Sequence, residues 1–182
     1  SDGPSLEIEY QPTPPPIQEK RSYPPQPTSF KTGTHSYGGV TRKDETGIGF
    51  ESFLNPRYTF DNFVKGDSNQ LARAAASAVA NNPGGTTFNP LVIYGGTGLG
   101  KTHLIQAIGN YALANGKAKR VIYVSSEKFT VEFVDAIQSD RTRDFSNFYR
   151  SMDLLIVDDI QFFAGKEKTQ DTFFHIFNHL HQ

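Results

Sequence analysis

Gly95-Gly96-Thr97-Gly98-Leu99-Gly100-Lys101-Thr102 has the spacing G-x-x-x-x-G-K-[ST], and it follows the apolar run Leu91 to Tyr94. A short, continuous apolar run ahead of glycines is the pattern of a buried parallel strand. Lys101 to about Ala114 then reads as a helix, stopped by Asn115-Gly116. Strand, glycine-rich turn and helix in that order form a phosphate cradle. Glycines let successive N–H groups converge on phosphate oxygens, and the helix N-terminus adds unpaired donors and a positive dipole. Lys101 supplies a point charge to the β- and γ-phosphates, and the Thr102 hydroxyl can serve Mg²⁺. The expected ligands are ATP or ADP with Mg²⁺.

Working outward, the same alternation recurs. Before the cradle, Leu71, Ala74, Ala75, Ala78 and Val79 fall at helical spacing behind a capping-box-like start at Asp67 and Gln70. After it, Val121 to Val124 reads as a second strand and Ser126-Glu127 as a helix start, with Phe129, Phe133 and Ile137 on one face. A shorter helical pattern runs through Phe145, Phe148 and Tyr149. Asp153 to Ile160 reads as a third strand, and Phe173, Ile176, Phe177 and Leu180 mark a last helix. Strands alternating with helices predict an α/β fold, a parallel sheet with helices on both faces.

The third strand ends in Asp158-Asp159, the pattern of a Walker B element. Asp158 is the candidate magnesium ligand, directly or through water. Asp159 is the candidate group that orients or deprotonates the attacking water. Lys101, Asp158 and Asp159 are thus the expected catalytic set. The i, i+4 pair His175 and His179 lacks a third ligand and reads as a helix surface. His103 reads as a packing or solvent-facing residue. Arg141, Arg143 and Arg150 around Phe145 and Tyr149 could serve single-stranded nucleic acid, but Asp140 and Asp144 dilute the charge, and a solvated face is the preferred reading.

Composition divides the chain. Eight of the eleven prolines lie in the first 27 residues, and none of the fifteen phenylalanines precedes Phe30. Residues 1–53 hold no apolar positions at regular spacing until Phe50 and Phe53, so they are expected to be a flexible, proline-rich linker. A PxxP ligand is the minor alternative there. Residues 54–182 are the expected ATPase portion. The absence of cysteine excludes disulfide scaffolds and cysteine-ligated zinc and is compatible with a cytoplasmic location. No apolar run approaches the roughly 18 residues of a membrane span. A formal charge of -1 offers no global attraction to nucleic acid, so any such binding must be local.

Together these elements resemble the DnaA family of bacterial replication initiators, which are AAA+ ATPases. The resemblance covers Leu54 to Gln182 and is carried by LNPRYTFDNFVKGDSNQLARAA, NPLVIYGGTGLGKTHLIQAIGN, VIYVSSEKF and FYRSMDLLIVDDIQFFAGKEKTQDTFFHIFN. Asp158-Asp159, where common AAA+ relatives carry Asp-Glu, is typical of the initiators. The resemblance implies nucleotide at Gly98, Gly100, Lys101 and Thr102, and adenine packed by the Tyr58-to-Asn69 segment, including Val64. It implies an initiator-specific insertion over about Ser126 to Tyr149, with Val134 facing single-stranded DNA. Lys168 stands where the family often has arginine for the same purpose, and lysine lacks the planar fork.

The implied activity is ATP-dependent initiation of chromosomal replication, with ATP-driven homo-oligomers engaging origin DNA and hydrolysis acting as a slow switch. A replicative helicase would be met through an N-terminal domain and duplex origin boxes through a C-terminal helix-turn-helix domain. Acidic lipid is a further candidate ligand of the full-length protein. The chain starts at Ser1 and is expected to be a fragment. The family's sensor 1 strand, arginine finger and lid belong beyond Gln182, which would leave a gap between the first and third strands. A related AAA+ helicase loader or regulatory adaptor is the alternative reading. A small-molecule P-loop kinase and a non-hydrolysing nucleotide-gated scaffold are more distant ones.

Overall fold

The computed structural model describes residues 7–9, 41–43, 49–96 and 98–181. Most of the expected linker, its PxxP stretch and Thr97 lie outside the described residues. The elements run β1 (Glu7–Glu9), β2 (Thr41–Lys43), β3 (Gly49–Glu51), α1 (Gln70–Asn81), β4 (Val92–Tyr94), α2 (Lys101–Ala114), β5 (Val121–Ser125), α3 (Ser126–Gln138), α4 (Thr142–Arg150), β6 (Leu154–Asp158) and α5 (Glu167–His181).

Strands β5 and β6 pair in parallel, with Tyr123 opposite Ile156 and Ser125 opposite Asp158. That register brings the end of β5 level with the acids of β6. The cradle strand β4 pairs with β1, antiparallel, with Ile8 opposite Ile93. Among the described residues no ladder joins β4 to β6. Strands β1, β2 and β3 lie within residues 1–53. An open strand edge offers N–H and C=O groups that any extended backbone can satisfy, so this pairing needs no apolar alternation in its sequence.

The core has three parts. Small residues of α1 (Ala72, Ala76, Val79, Ala80) meet Leu104, Ala107 and Ile108 of α2, with Phe60 and Phe63 at the margin. This face is rotated by about one residue from the expected one. Leu71 is 69% exposed, while Ala72 is fully buried. Beneath the sheet, Leu54, Ala112, Val121 and Ile156 form a second group. The third is aromatic: Phe129 is fully buried, with the rings of Phe145, Tyr149, Phe163 and Phe173 at 5.0, 4.9, 5.7 and 5.8 Å. Such pairs add about 0.5–1.5 kcal/mol each beyond their buried area. They fix α3 and α4 as one unit on the sheet. Phe133 and Ala136 complete the buried face of α3, whereas Ile137, expected there, is 47% exposed. The third strand stops at Asp158, and Ile160 lies in a 3-10 turn over Ile160–Phe163, 53% exposed.

Candidate nucleotide site

The cradle joins β4 to α2. Gly98 and Gly100 hold φ of +77° and +83°, the left-handed region that an L side chain seldom occupies. Gly100 caps α2, and its carbonyl accepts the Leu104 N–H at 2.9 Å. A Cβ on Gly100 would lie 3.0 Å from Phe63 Cε2. The glycine is therefore needed for its backbone angle and for room. Lys101 Nζ donates to the carbonyls of Gly95 and Gly96, at 2.8 and 2.6 Å. Its charge is thereby held against the start of the loop.

A cavity of about 340 Å³ opens beside the loop. Phe63, Val64, Ser68 and Asn69 line one side, and Gly98, Leu99, Gly100 and His103 line the other. Val64 is 82% exposed, an apolar side chain at the rim with no core to fill. The segment that carries these residues is fastened by a polar stripe on α2. His103, Gln106 and Asn110 stand at i, i+3 and i+7, one face of the helix. His103 Nε2 lies 2.8 Å from the Thr59 carbonyl. Gln106 Oε1 accepts the Asn55 N–H at 2.7 Å, and Asn110 Nδ2 donates to the carbonyls of Asn55 and Tyr58. His103 also packs against the rings of Tyr58 and Phe63 at 5.0 and 5.3 Å. It is thus a wall of the cavity and a fastener of its segment, a role that its position in the sequence did not announce.

On the far side of the cradle the Thr102 hydroxyl donates to Asp158 Oδ2 at 2.8 Å. Asp158 is 8% exposed and accepts two more bonds, from the Tyr123 hydroxyl to Oδ2 at 2.9 Å and from the Asp159 N–H to Oδ1 at 2.9 Å. A hydroxyl and a buried carboxylate meeting beside a phosphate cradle are the hard oxygen donors that magnesium takes, alongside phosphate and water. The residues therefore fit the ion that the sequence implies. Burial first, and then the Asp158 charge, push the Tyr123 phenol well above its ordinary range, so it stays protonated and donates. Asp159 is exposed and left-handed at φ +54°. Its carbonyl accepts the buried Ser126 hydroxyl at the start of α3, and its Oδ1 accepts Gln161 Nε2 at 3.3 Å.

Val134 and Lys168 are both exposed, the former at 42%. Val134 shares its side of α3 with Val131, 56% exposed, so it is a surface residue and not core. Neither lines the nucleotide cavity. Phe145 and Tyr149 are buried, which withdraws their faces from any base. Among the described residues no cluster of three histidine or acidic side chains could hold a metal, and His175 and His179 are exposed on α5.

Comparison with known proteins agrees with this geometry. The profile of the bacterial DnaA ATPase domain matches residues 54–182. The chromosomal replication initiator protein DnaA of Chlorobaculum tepidum is 64% identical over 133 residues, 73% of this chain and 27% of the relative. That of Thermomicrobium roseum is 62% identical over 132 residues, 72% of this chain and 28% of the relative. The chain thus spans 27% and 28% of the length of these two relatives. The structure of AMPPCP-bound DnaA from Aquifex aeolicus superposes with a TM-score of 0.67 at 47% identity, covering 71% of this chain and 40% of that one. The replication initiator DnaA bound to AMPPCP and single-stranded DNA gives 0.68 at 47% identity, with 71% and 40% covered. A cradle between β4 and α2, an acid pair at the end of β6 and a profile match that takes in every element from α1 to α5 have one common explanation: the chain belongs to the bacterial DnaA ATPase domain family.

Proposed function

We propose that this chain is the nucleotide-binding part of an ATP-dependent initiator of chromosomal replication. The observation that carries the reading is the Thr102–Asp158 contact, which unites the phosphate cradle with the acid of β6 in one site. Relatives named as replication initiators, and a similar initiator solved with AMPPCP and single-stranded DNA, support it.

In this reading adenine sits against Val64 and Phe63, and the phosphates lie along the 95–102 loop, Thr97 included. Magnesium, when bound, neutralises phosphate charge. Thr102 and Asp158 hold it. Lys101 leaves the Gly95 and Gly96 carbonyls for the β- and γ-phosphates. Asp159, exposed just after β6, orients the attacking water. Hydrolysis is slow and acts as a switch. Val134 and Lys168 engage single-stranded DNA, the first by apolar contact and the second by phosphate attraction. The full-length protein assembles head to tail in its ATP form in the cytoplasm, opens the origin and recruits a replicative helicase. Duplex origin boxes and acidic lipid belong to its interactions outside this chain.

Lys101→Ala in the full-length protein tests the reading. It removes a charge-assisted contact of about 1.5–3 kcal/mol, so ATP binding weakens tenfold or more. Single-turnover hydrolysis and origin opening fall with it. Equal ATP affinity in a filter-binding titration overturns the assignment.

A further inference from the structure

We propose that Tyr123 is a positioning residue that holds the Asp158 carboxylate in place for the nucleotide-bound magnesium. The inference rests on the nucleotide reading above and assigns a role to a residue outside both motifs.

The register of β5 against β6 sets Tyr123 opposite Ile156, two residues before the acid. A tyrosine there is long enough to run along the strand and bring its hydroxyl to Asp158 Oδ2, at 2.9 Å. The phenol is half-buried on the α2 side of the sheet, among Leu54, Val121 and Ile156. The phenol carries the proton of this pair, so Tyr123 O–H donates and Asp158 Oδ2 accepts.

Oδ2 has two donors, and they are not equivalent. The Thr102 hydroxyl must turn its oxygen lone pairs to magnesium when it serves as a ligand. Tyr123 has no such second duty, so it is the contact to Oδ2 that persists through metal binding. Oδ1 keeps the Asp159 N–H. With both oxygens restrained, the carboxylate enters the metal site already oriented. Such partners of ligating groups commonly account for 10- to 100-fold in metal affinity.

The test is the magnesium dependence of ATP binding by the full-length protein. Tyr123→Phe keeps the ring and removes only the hydroxyl. The magnesium concentration at half-maximal ATP binding should rise roughly tenfold, while ATP affinity in EDTA stays at the parental value. If Tyr123→Phe does not fold, the midpoint of Tyr123→Met, which also lacks the hydroxyl, decides. A folded variant with an unchanged midpoint overturns the proposal, including one that has merely lost thermal stability. If the parent binds no ATP with or without magnesium, the nucleotide reading falls; a parent that binds ATP equally in both conditions overturns this proposal alone.

Discussion

Phe63 Cε2 stands 3.0 Å from the point where a Cβ on Gly100 would be, so the wall of the nucleotide cavity rests directly on the backbone of the phosphate cradle. The Phe63 wall of the cavity and the glycine-rich loop are one packed unit. Any change that lifts the loop also moves the ring.

Gly100→Ala should expose this coupling. The alanine must hold φ near +83°, at a cost of about 1–2 kcal/mol, and must push the Phe63 ring aside. ATP affinity should drop at least tenfold, with a melting temperature lowered by a few degrees. Gly116→Ala is the control: its φ is +64°, but no atom lies within 4 Å of the added Cβ. It should show the thermal cost without the loss of ATP affinity. Equal ATP affinities for the two variants, read by titration with a fluorescent analogue, would argue against the coupling.

Glu132 gives a pH signature to the α3–α4 unit. Burial pushes its carboxyl above the ordinary 4.5, against the opposing pull of the Tyr149 hydroxyl and Lys128. The Tyr149 O–H donates to Glu132 Oε2 at 2.6 Å, and Lys128 Nζ lies 3.7 Å from Oε1. The folded state thus holds its proton more tightly than the unfolded chain. Stability from this group is fully present below the unfolded value and is lost as pH rises through the folded one. Glu132→Gln keeps an acceptor for Tyr149 and removes the titration. Its stability relative to the parent should therefore grow as pH rises from about 4 to 7. Thermal melts across that range check the sign, and a difference that shrinks with pH would refute it.

Much of this architecture is legible in the sequence because the signals are local. The cradle announces itself through contiguous glycines, and Asp158 through the apolar strand ahead of it. Helix α2 begins and ends where its composition says. The buried face of α1 was not legible. Alanines occupy 72, 74, 75, 76, 78 and 80, so almost any face looks equally apolar, and packing against α2 selects Ala72 and Ala76 over Leu71. Ile137 and Ile160 misled for a related reason: an apolar residue near an element's end obeys the period without being covered. The Tyr123–Asp158 and Gln106–Asn55 contacts join residues 35 and 51 positions apart, and only the fold brings them together. The stripe His103, Gln106, Asn110 was visible as spacing, but polar residues on a helix read as solvent-facing until a loop is found lying on them.

Val134 and Lys168 allow the proposed strand engagement to be tested apart from nucleotide chemistry. Both are exposed and neither lines the nucleotide cavity, so replacing them leaves the cradle, Asp158 and the Phe63 wall intact. Val134 is 42% exposed on the face of α3 opposite the buried Phe129 and Phe133. Truncating it opens no cavity in the aromatic core, and the thermal cost should fall within the roughly 0.5 kcal/mol typical of surface substitutions. In the full-length protein, Val134→Ala with Lys168→Ala should therefore keep the parental ATP affinity and melting temperature. Single-strand binding and origin opening should weaken. Lysine contributes as a point charge to one phosphate, so its loss should flatten the dependence of log affinity on log salt by roughly 0.7. Valine contributes apolar contact to sugar or base, so Val134→Ala alone should lower affinity and leave the salt slope unchanged. A gel-shift titration on unpaired DNA at three salt concentrations, run beside an ATP titration on the same preparation, resolves the two contributions. Unchanged strand affinity and slope in the folded double variant would remove the DNA role from both residues and leave the nucleotide site as argued.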